Sequence, residues 1–368
     1  MLGLYIHIPF CVSKCIYCDF VSFGGRQELL PPYLSALKNE AERYKGKRIS
    51  SVFIGGGTPS LMSENQITGL CDFLHKNFRI DADAEFSMEA NPQSLTVDKL
   101  KAAKNGGVNR ISLGAQSLSD KVLCSLGRCH DRLMLEKAIE NVKKTGFDNF
   151  NLDLIFALPE QTAAMWEQTL KDALSFQPKH ISCYSLIVDE NTPLGKMYAE
   201  GKVTLISEEE EREMYYLTNR ILHQNGIEQY EISNYASPGF ECKHNVNYWE
   251  CGEYIGLGCA AHSYFNGARF SNTVEMEKYI SQKDIVEQSQ TIDKNEQMDE
   301  KIIFGIRMNR GISLKEFNDL FKVDFEQRYN LQIQKNLKRG FILIENGFLR
   351  LTDKGRDFCD TVALDFIQ

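Results

Sequence analysis

The sequence has no apolar run long enough to cross a membrane, because charge, glycine or proline interrupts every apolar stretch well before the roughly 18 residues that a spanning helix needs. The first ten residues are apolar, but they lack the basic leader and the small-residue cleavage site of an export signal, so we expect no signal peptide. Positive charge is also scarce, with 42 Lys and Arg against 50 Asp and Glu. These absences favour a cytoplasmic protein without a broad nucleic-acid-binding surface.

The rest of the composition is ordinary for a globular chain. Of the 368 residues, 43% are hydrophobic and 25% are charged, values that exclude intrinsic disorder and collagen-like repeats. At roughly 150 residues per domain, the length predicts two or three units. The unusual feature is a count of 11 cysteines. Without an export signal, these cysteines are expected to be thiols that pack or bind metal, since a reducing compartment disfavours disulfides.

Short β-rich runs alternate with segments of helical period from the N-terminus to about residue 230, which is typical of a parallel α/β fold. One such helix is predicted over residues 163–176 with Thr162 as its N-cap. The pattern fits either an open doubly wound sheet or an incomplete barrel of the (β/α)8 type. Six strands are predicted, over residues 4–8, 51–54, 85–89, 110–114, 150–156 and 180–186.

The C-terminal part of the chain has a different pattern. Residues 281–299 are polar and predict a linker or an exposed helix, and the residues after them predict three helices, a hairpin turning at Asn346-Gly347, and a last helix from Thr352. This order resembles a winged helix. Residues 291–368 contain 13 Lys and Arg and 13 Asp and Glu, so the unit lacks the basic footprint of a DNA reader, and we expect it to dock on the barrel or on a partner.

Three cysteines are crowded at Cys11, Cys15 and Cys18, directly after the first predicted strand. Thiolates are soft ligands that suit zinc or iron–sulfur clusters. A structural zinc site needs a fourth ligand, which His7, Cys242 or Cys251 could supply, but no second close pair of cysteines is present. The spacing Cys-x3-Cys-x2-Cys favours a [4Fe-4S] cluster that has three protein ligands and one open iron.

Other unusual residues also follow predicted strands, at the edge where ligands bind in α/β folds. Residues 55–59 (Gly-Gly-Gly-Thr-Pro) follow the second strand, Glu89 closes the third and Gln116 follows the fourth. Glycines let backbone groups approach a ligand closely, and carboxylates such as Glu89 and Asp153 accept hydrogen bonds from hydroxyl or ammonium groups. Arg128 could hold a carboxylate. Each feature alone is equally well explained as a turn, a cap or an ion pair.

Taken together, these residues resemble the radical S-adenosylmethionine (SAM) superfamily, and within it the oxygen-independent coproporphyrinogen III oxidase family. The resemblance implies an α/β fold, a partial (β/α)6 radical SAM barrel with a C-terminal winged-helix-like accessory domain. It further implies that the three cysteines hold the cluster and that SAM chelates its open iron. The motifs are residues 5–11 (Tyr-Ile-His-Ile-Pro-Phe-Cys), 15–20 (Cys-Ile-Tyr-Cys-Asp-Phe), 55–59, 114–117 (Gly-Ala-Gln-Ser) and 153–159 (Asp-Leu-Ile-Phe-Ala-Leu-Pro). The SAM contacts implied by the motifs are Tyr5, Tyr17, Gly56, Gly57, Thr58, Glu89, Gln116, Arg128 and Asp153.

Two departures separate this chain from the oxidases of that family. In the oxidases a fourth cysteine stands two residues after the third, where this chain has Phe20, and an N-terminal extension precedes the first strand, where only ten residues precede Cys11. Both features are similar to the HemW-type haem chaperone branch. That resemblance implies binding of haem as cargo and its delivery to respiratory haem proteins. The alternative function is coproporphyrinogen III oxidation, an activity that we do not expect.

The segment His244-Asn245-x-x-Tyr248-Trp249 resembles the haem-binding signature of the chaperone branch. A neutral imidazole can bind haem iron, and flat aromatic rings can pack on a porphyrin. Without the resemblance, a simpler interpretation is that His244 caps a loop and the aromatic rings fill a core. Cys242 and His262 are nearby alternative ligands.

The motifs divide the chain into three predicted parts. Residues 1–235 would form the radical SAM partial barrel with its cluster and SAM site, residues 236–285 a connecting region with the haem motif, and residues 286–368 the winged-helix-like domain. We expect no nucleic-acid partner and a cytoplasmic location, with transient contact to the cytoplasmic face of the membrane through an acceptor. Homodimer formation stays open.

Overall fold

A computed structural model describes residues 1–367, and one 12-stranded mixed sheet dominates it. A three-stranded sheet and a two-stranded sheet are much smaller. The strands are β1 (Leu2–Ile8), β2 (Phe10–Cys11), β3 (Phe23–Gly24), β4 (Arg48–Gly56), β5 (Arg79–Ala90), β6 (Arg110–Gln116), β7 (Phe150–Phe156), β8 (His180–Ser185), β9 (Glu228–Gln229), β10 (Asn234–Ala236), β11 (Glu253–Leu257), β12 (His262–Phe265), β13 (Ala268–Asn272), β14 (Val286–Thr291), β15 (Ile312–Ser313), β16 (Ile342–Glu345) and β17 (Phe348–Leu351).

Helices join the parallel strands and cover their outer face. The predicted helix after Thr162 is present, and the Thr162 hydroxyl accepts a hydrogen bond from Met165 N at its start. Within residues 1–367, no helix combines the length and the apolar character needed to span a bilayer. The helices are α1 (Leu30–Ala41), α2 (Glu64–Asn77), α3 (Val97–Asn105), α4 (Asp120–Ser125), α5 (Arg132–Lys144), α6 (Ala163–Ser175), α7 (Pro193–Ala199), α8 (Glu208–Gln224), α9 (Lys243–Trp249), α10 (Met276–Ile280), α11 (Lys294–Gly305), α12 (Leu314–Phe321), α13 (Phe325–Arg328), α14 (Asn330–Arg339), α15 (Asp353–Arg356) and α16 (Cys359–Phe366).

All six predicted strands are confirmed, as β1, β4, β5, β6, β7 and β8, and they lie side by side in that order. Each neighbouring pair is parallel, for example Tyr5 opposite Phe53 and Asp153 opposite Ser182. The ends of the sheet, β14 and β9, do not pair with each other. The α/β partial-barrel prediction is therefore confirmed.

The two faces of the parallel strands differ in polarity. On β1, Leu4, Ile6 and Ile8 point to the outer helices and are fully buried in the main hydrophobic core. The alternate positions face the inside of the curved sheet, where Tyr5 and His7 lie. Parallel strands covered by packed core on both faces are usually apolar throughout. Polar inner positions therefore indicate that the sheet encloses a ligand cavity.

The region predicted to connect the barrel to the C-terminal unit is built into the main sheet. β11 pairs in parallel with β1, and β12, β13 and β14 continue the sheet in antiparallel order. The linker or exposed helix predicted for residues 281–299 is wrong in part, because residues 286–291 form β14 and α11 begins at Lys294. All six side chains of β14 are exposed. An exposed edge strand has no apolar alternation by which it could be recognised.

The C-terminal unit has its own hydrophobic core, around Phe317, Phe325 and Phe366. Its helices, its hairpin and its final helical segment agree with the predicted order, and strand β15 adds a third strand to the hairpin. The turn residues Asn346 and Gly347 both have positive φ (53° and 79°), as a two-residue hairpin turn requires. The domain boundaries predicted after residues 235 and 285 stay predictions.

The expected docking of this unit on the barrel side is confirmed. Lys301 Nζ donates to the Glu250 carbonyl oxygen at 2.7 Å, and Arg310 forms an ion pair with the Glu250 carboxylate. Asn309 N donates to the Tyr230 carbonyl oxygen at 2.9 Å. Helix α11 also packs directly against α9. The C-terminal unit therefore covers the end of α9.

Candidate functional site

The three cysteines lie on a loop at the carboxyl edge of β1. Short strands β2 and β3 pair in parallel and hold the two ends of this loop together, and Cys18 N donates to the Cys15 carbonyl oxygen in a turn between them. All three thiols are partly exposed. Burial raises the pKa of the Cys18 thiol, and Cys15 and Cys11 act in the same direction, while the Phe20 backbone and Lys14 oppose them.

The structure does not gather a fourth ligand for a zinc ion at this loop. Among the described residues, no three His, Cys, Asp or Glu side chains, the three cysteines of the loop included, lie close enough together to hold one metal ion. His7 uses both ring nitrogens in hydrogen bonds, and the Cys242 thiol donates to Glu85 inside the barrel. Three thiols on a curled loop fit a cluster better, because each cysteine then binds a different iron atom.

A chain of hydrogen bonds links the cysteine loop to the strand ends. Arg128 Nη1 donates to Cys15 Sγ at 3.5 Å, and Nη2 donates to Asn91 Oδ1 and to the Gly114 carbonyl oxygen, both at 2.8 Å. Asn91 Nδ2 donates to Thr58 Oγ1 at 2.9 Å, and Thr58 Oγ1 donates to Cys11 Sγ at 3.6 Å. Arg128 and Thr58 were predicted from the sequence, but Asn91, which joins them, was missed.

The glycine triplet is required by close packing. Gly56 has a φ of 110°, and a Cβ atom there would lie 2.5 Å from the His7 ring. A Cβ atom at Gly57 would lie 2.7 Å from the Phe10 carbonyl oxygen. Gly56 N donates to Glu89 Oε2 at 3.0 Å. The triplet therefore brings β4 against both the cysteine loop and the half-buried Glu89 carboxylate.

Glu89 and Asp153 line the same cavity inside the barrel, and Glu89 lies near the end of β5, as the sequence predicts. Ser112 Oγ donates to Asp153 at 3.0 Å and Asn151 Nδ2 donates at 2.8 Å. Burial raises the pKa of Glu89 to about 8, and the charge of Asp153 adds to the effect. A cavity of about 150 Å³ separates these groups from the opposite wall. It is lined by Tyr5, Phe53, Glu89, Arg110, Ser112, Asn151, Asp153, Ser182, Tyr184, His244, Asn245 and Tyr248.

Two further predicted residues lie around the cysteine loop. Gln116 has a φ of 62°, next to a register shift between β6 and β7. Tyr17 packs against a small cluster of Leu126, Ile155 and Leu158. Burial raises the pKa of Tyr17. The predicted SAM residues thus form an inner group (Tyr5, Glu89, Asp153) and a rim group (Tyr17, Gly56, Gly57, Thr58, Gln116, Arg128), and their contacts with SAM stay predictions.

His244 lies inside the barrel on α9. Its Nδ1 is 2.9 Å from Ser51 Oγ, its Nε2 is 2.8 Å from Tyr248 Oη, and its ring stacks on Phe53 at 5.3 Å. Burial, with the charge of Arg110, lowers the pKa of His244 to about 3. Both ring nitrogens are therefore already hydrogen bonded. Its role as a haem ligand stays a prediction, and such a role requires one of these bonds to break.

A second and larger cavity, of about 450 Å³, lies between the cysteine loop, β11–β13 and the ends of α9 and α11. Tyr5 and Tyr248 line both cavities. Phe20, which is 65% exposed, lies on the wall of the larger one. Sequence reasoning missed most of this wall, because β11–β13 were not recognised as strands. The lining residues are Tyr5, His7, Asp19, Phe20, Val21, Tyr248, Trp249, Cys251, Gly252, Tyr254, Ala260, His262, Tyr264, Arg269 and Phe304.

Comparison with known families matches two parts of the chain. Residues 5–173 match the Radical SAM superfamily, and residues 292–358 match the HemN C-terminal domain. The chain is also similar to a solved structure of coproporphyrinogen III oxidase (HemN) from Escherichia coli, with a TM-score of 0.86 and 24% identity, covering 100% of this chain and 90% of that one.

Three curated proteins, each described as heme chaperone HemW, are similar in sequence. The protein from Lactococcus lactis is 33% identical over 99% of this chain and 96% of its own length. The protein from Bacillus subtilis is 35% identical over 97% of this chain and 96% of its own length. The protein from Escherichia coli is 38% identical over 71% of this chain and 69% of its own length.

Proposed function

Since this chain belongs to the HemW haem chaperone family of the radical SAM superfamily, we propose that it binds haem and delivers it to respiratory haem proteins. The observation that carries the proposal is similarity to curated haem chaperones over nearly the full length of both chains. The aromatic cavity beside the cysteine loop supports it, because flat rings offer the contact surface that a porphyrin needs.

In this proposal Cys11, Cys15 and Cys18 hold a [4Fe-4S] cluster that leaves one iron for SAM. When bound, the cluster supplies one-electron reduction of the SAM sulfonium. The residues of this chain prepare the site. Arg128 brings positive charge to Cys15, and Thr58 donates to Cys11.

SAM itself would lie between the cysteine loop and the buried carboxylates. Glu89 and Asp153 are suited to bind its ammonium group or ribose hydroxyls, because they are enclosed by the barrel and held in place by hydrogen bonds. Arg128 is suited to bind its carboxylate. Tyr5 and Tyr248, which line both cavities, would then separate the SAM site from the cargo.

Haem titration of the purified protein with its cluster reconstituted tests the function. We expect saturable haem binding and transfer to an apo haem protein, and no conversion of coproporphyrinogen III to protoporphyrinogen when SAM and a reductant are present. Absence of haem binding contradicts the proposal. Decarboxylation at an enzyme-like rate favours the alternative, an oxygen-independent coproporphyrinogen III oxidase.

The acceptors, the location and the assembly state are part of the same proposal. We expect the protein to work in the cytoplasm and to reach membrane-bound acceptors by peripheral contact. Homodimer formation is open to direct measurement by light scattering.

Replacement of Glu89 tests the buried carboxylate pair. Folding raises the pKa of Glu89 from 4.5 to about 8, so the folded state binds more protons and loses stability as the pH rises between these values. The difference between these two pKa values corresponds to roughly 5 kcal/mol, of which about 2–3 kcal/mol is lost between pH 6 and pH 8. In Glu89→Gln, the amide oxygen can still accept from Gly56 N but cannot ionise. The thermal midpoint of the variant, measured without SAM, should therefore fall less between pH 6 and pH 9, and SAM should bind more weakly.

The control for this experiment is Glu209→Gln, which removes an exposed carboxylate on α8. It should show the same pH dependence as the unmodified chain. If Glu89→Gln loses as much stability between pH 6 and pH 9 as the control, Glu89 is already ionised at pH 6 and the proposed carboxylate pair is wrong.

A further inference from the structure

The wall of the larger cavity carries one positive charge, that of Arg269. Trp249 Nε1 and Arg269 Nε are buried and lack a partner among residues 1–367, and both side chains line the cavity. Arg269 Nη2 donates to Glu300 at 2.9 Å, and the guanidinium lies 5.4 Å from the centre of the Tyr264 ring. Buried donors without partners are rare in folded proteins. These two nitrogen atoms are not accessible from the cavity, so the feature that a ligand would meet is the positive charge of the Arg269 guanidinium, which suits an anionic group.

The rest of the wall suits a large flat apolar ligand. The rings of Tyr248 and Tyr254 pack edge to face with their centres 4.5 Å apart, and the ring centres of Trp249 and Phe304 are 6.2 Å apart. The volume of about 450 Å³ falls within the roughly 300–1,000 Å³ usual for small-molecule sites. An aromatic surface combined with an arginine matches a macrocycle that carries carboxylates, which describes haem and its propionates.

The histidine and cysteine side chains of this wall are His7, Cys251 and His262. His7 is excluded by its hydrogen bonds to Tyr5 Oη at 2.8 Å and to the Val21 carbonyl oxygen at 3.0 Å. Cys251 is less exposed than His262, and burial raises the pKa of its thiol to about 12, which disfavours the thiolate form that binds metal.

His262 meets both requirements of an axial ligand. Neither of its ring nitrogens has a hydrogen-bond partner within residues 1–367, and the side chain is exposed at the start of β12. Partial desolvation, assisted by the charge of Arg269, lowers the pKa of His262.

We propose that the larger cavity is the haem site, with His262 as the axial iron ligand and Arg269 as the partner of a propionate. The proposal rests on the proposed function and names its binding site. Because His262 is exposed, haem bound there can leave without opening the hydrophobic core. Asp19, Phe20 and Val21 belong both to the wall of this cavity and to the segment that follows Cys18, so haem would lie directly beside the cluster loop.

The experiment is a haem titration of the full chain, followed by absorbance and by electron paramagnetic resonance. His262→Ala should weaken haem binding at least about tenfold, because even the outer partners of metal ligands change affinity by that much. It should also remove the histidine-ligated spectrum, and added imidazole should restore that spectrum. Arg269→Gln should weaken binding and leave the spectrum unchanged.

The control is His223→Ala, which removes another exposed histidine, one that is paired with Glu228 on the surface. It should bind haem like the unmodified chain. Normal binding and an unchanged spectrum in His262→Ala would overturn the site and leave the proposed function intact. Loss of the spectrum in His244→Ala, with His262→Ala unaffected, would overturn the site in favour of His244. Failure of the unmodified chain to bind haem would overturn the function and the site together.

Discussion

Cys15→Ser is expected to leave the reconstituted protein with less than about a tenth of its iron and sulfide, because loss of a direct ligand costs at least as much as the tenfold or more that follows loss of an outer partner. A serine hydroxyl is a hard, weakly acidic ligand that does not replace a thiolate on iron. Cys15 is also the thiol that receives the Arg128 hydrogen bond. Cys11→Ser and Cys18→Ser should give the same result. Iron and sulfide analysis, together with the visible absorption of the cluster, measures the effect.

Cys129→Ser is the control for this experiment. Cys129 is exposed, and its sulfur lies 3.1 Å from Ser13 Oγ within the cysteine loop, so it is a nearby thiol without a predicted role. Cys124, Cys71 and Cys359 should be equally dispensable. Full cluster content in any of the three loop variants, or its loss in Cys129→Ser, would show that the ligands are assigned wrongly.

Gly56→Ala is expected to destabilise the chain by about 2–6 kcal/mol. Holding a non-glycine residue at positive φ costs roughly 1–3 kcal/mol, and forcing an extra methyl group into a packed site costs about as much again. The new Cβ would lie 2.5 Å from the His7 ring, which cannot move without breaking its bonds to Tyr5 and Val21. Because Val21 follows the cysteine loop, cluster yield should fall as well. Thermal unfolding and iron content measure the two effects.

Gly46→Ala is the matched control, since Gly46 also has a positive φ, of 76°, but no atom lies within 4 Å of a Cβ placed there. This variant should lose only the backbone contribution, about 1–2 kcal/mol, and keep its cluster. Equal destabilisation of the two variants would mean that the contact between Gly56 and His7 does not constrain the site.

The six parallel strands could be predicted because each has an apolar outer face with period two, as in Leu4, Ile6 and Ile8. Strand β11 could not be predicted in this way. It is five residues long and contains Gly256, and its place beside β1 depends on pairing across more than 240 residues of sequence. Strands β12–β14 extend the sheet beyond β11 to its edge. All side chains of the edge strand β14 are exposed, so its sequence lacks the alternation of apolar and polar residues that marks a half-buried strand.

The inner wall of the barrel had a signal in the sequence that was not used. Ser112, Asn151 and Ser182 occupy alternate positions on predicted strands whose other positions are apolar, and in the structure all three surround Asp153. Polar alternation on a buried parallel strand indicates a face that lines a cavity. Asn91, by contrast, follows β5 without a pattern that distinguishes it from a turn residue.

The sequence by itself determined the six strands and the cysteine loop, because local spacing and periodicity are properties of neighbouring residues, and its motifs carry the resemblance that implied the fold family. It also showed Phe20 where the oxidases have a fourth cysteine. The tertiary structure alone decided which histidine has free ring nitrogens. His244 lies in the conspicuous motif but is enclosed between Ser51 and Tyr248, whereas His262, in an unremarkable segment, is exposed on the wall of the aromatic cavity. Hydrogen-bond partners and burial depend on segments far apart in the chain, and only packing brings those segments together.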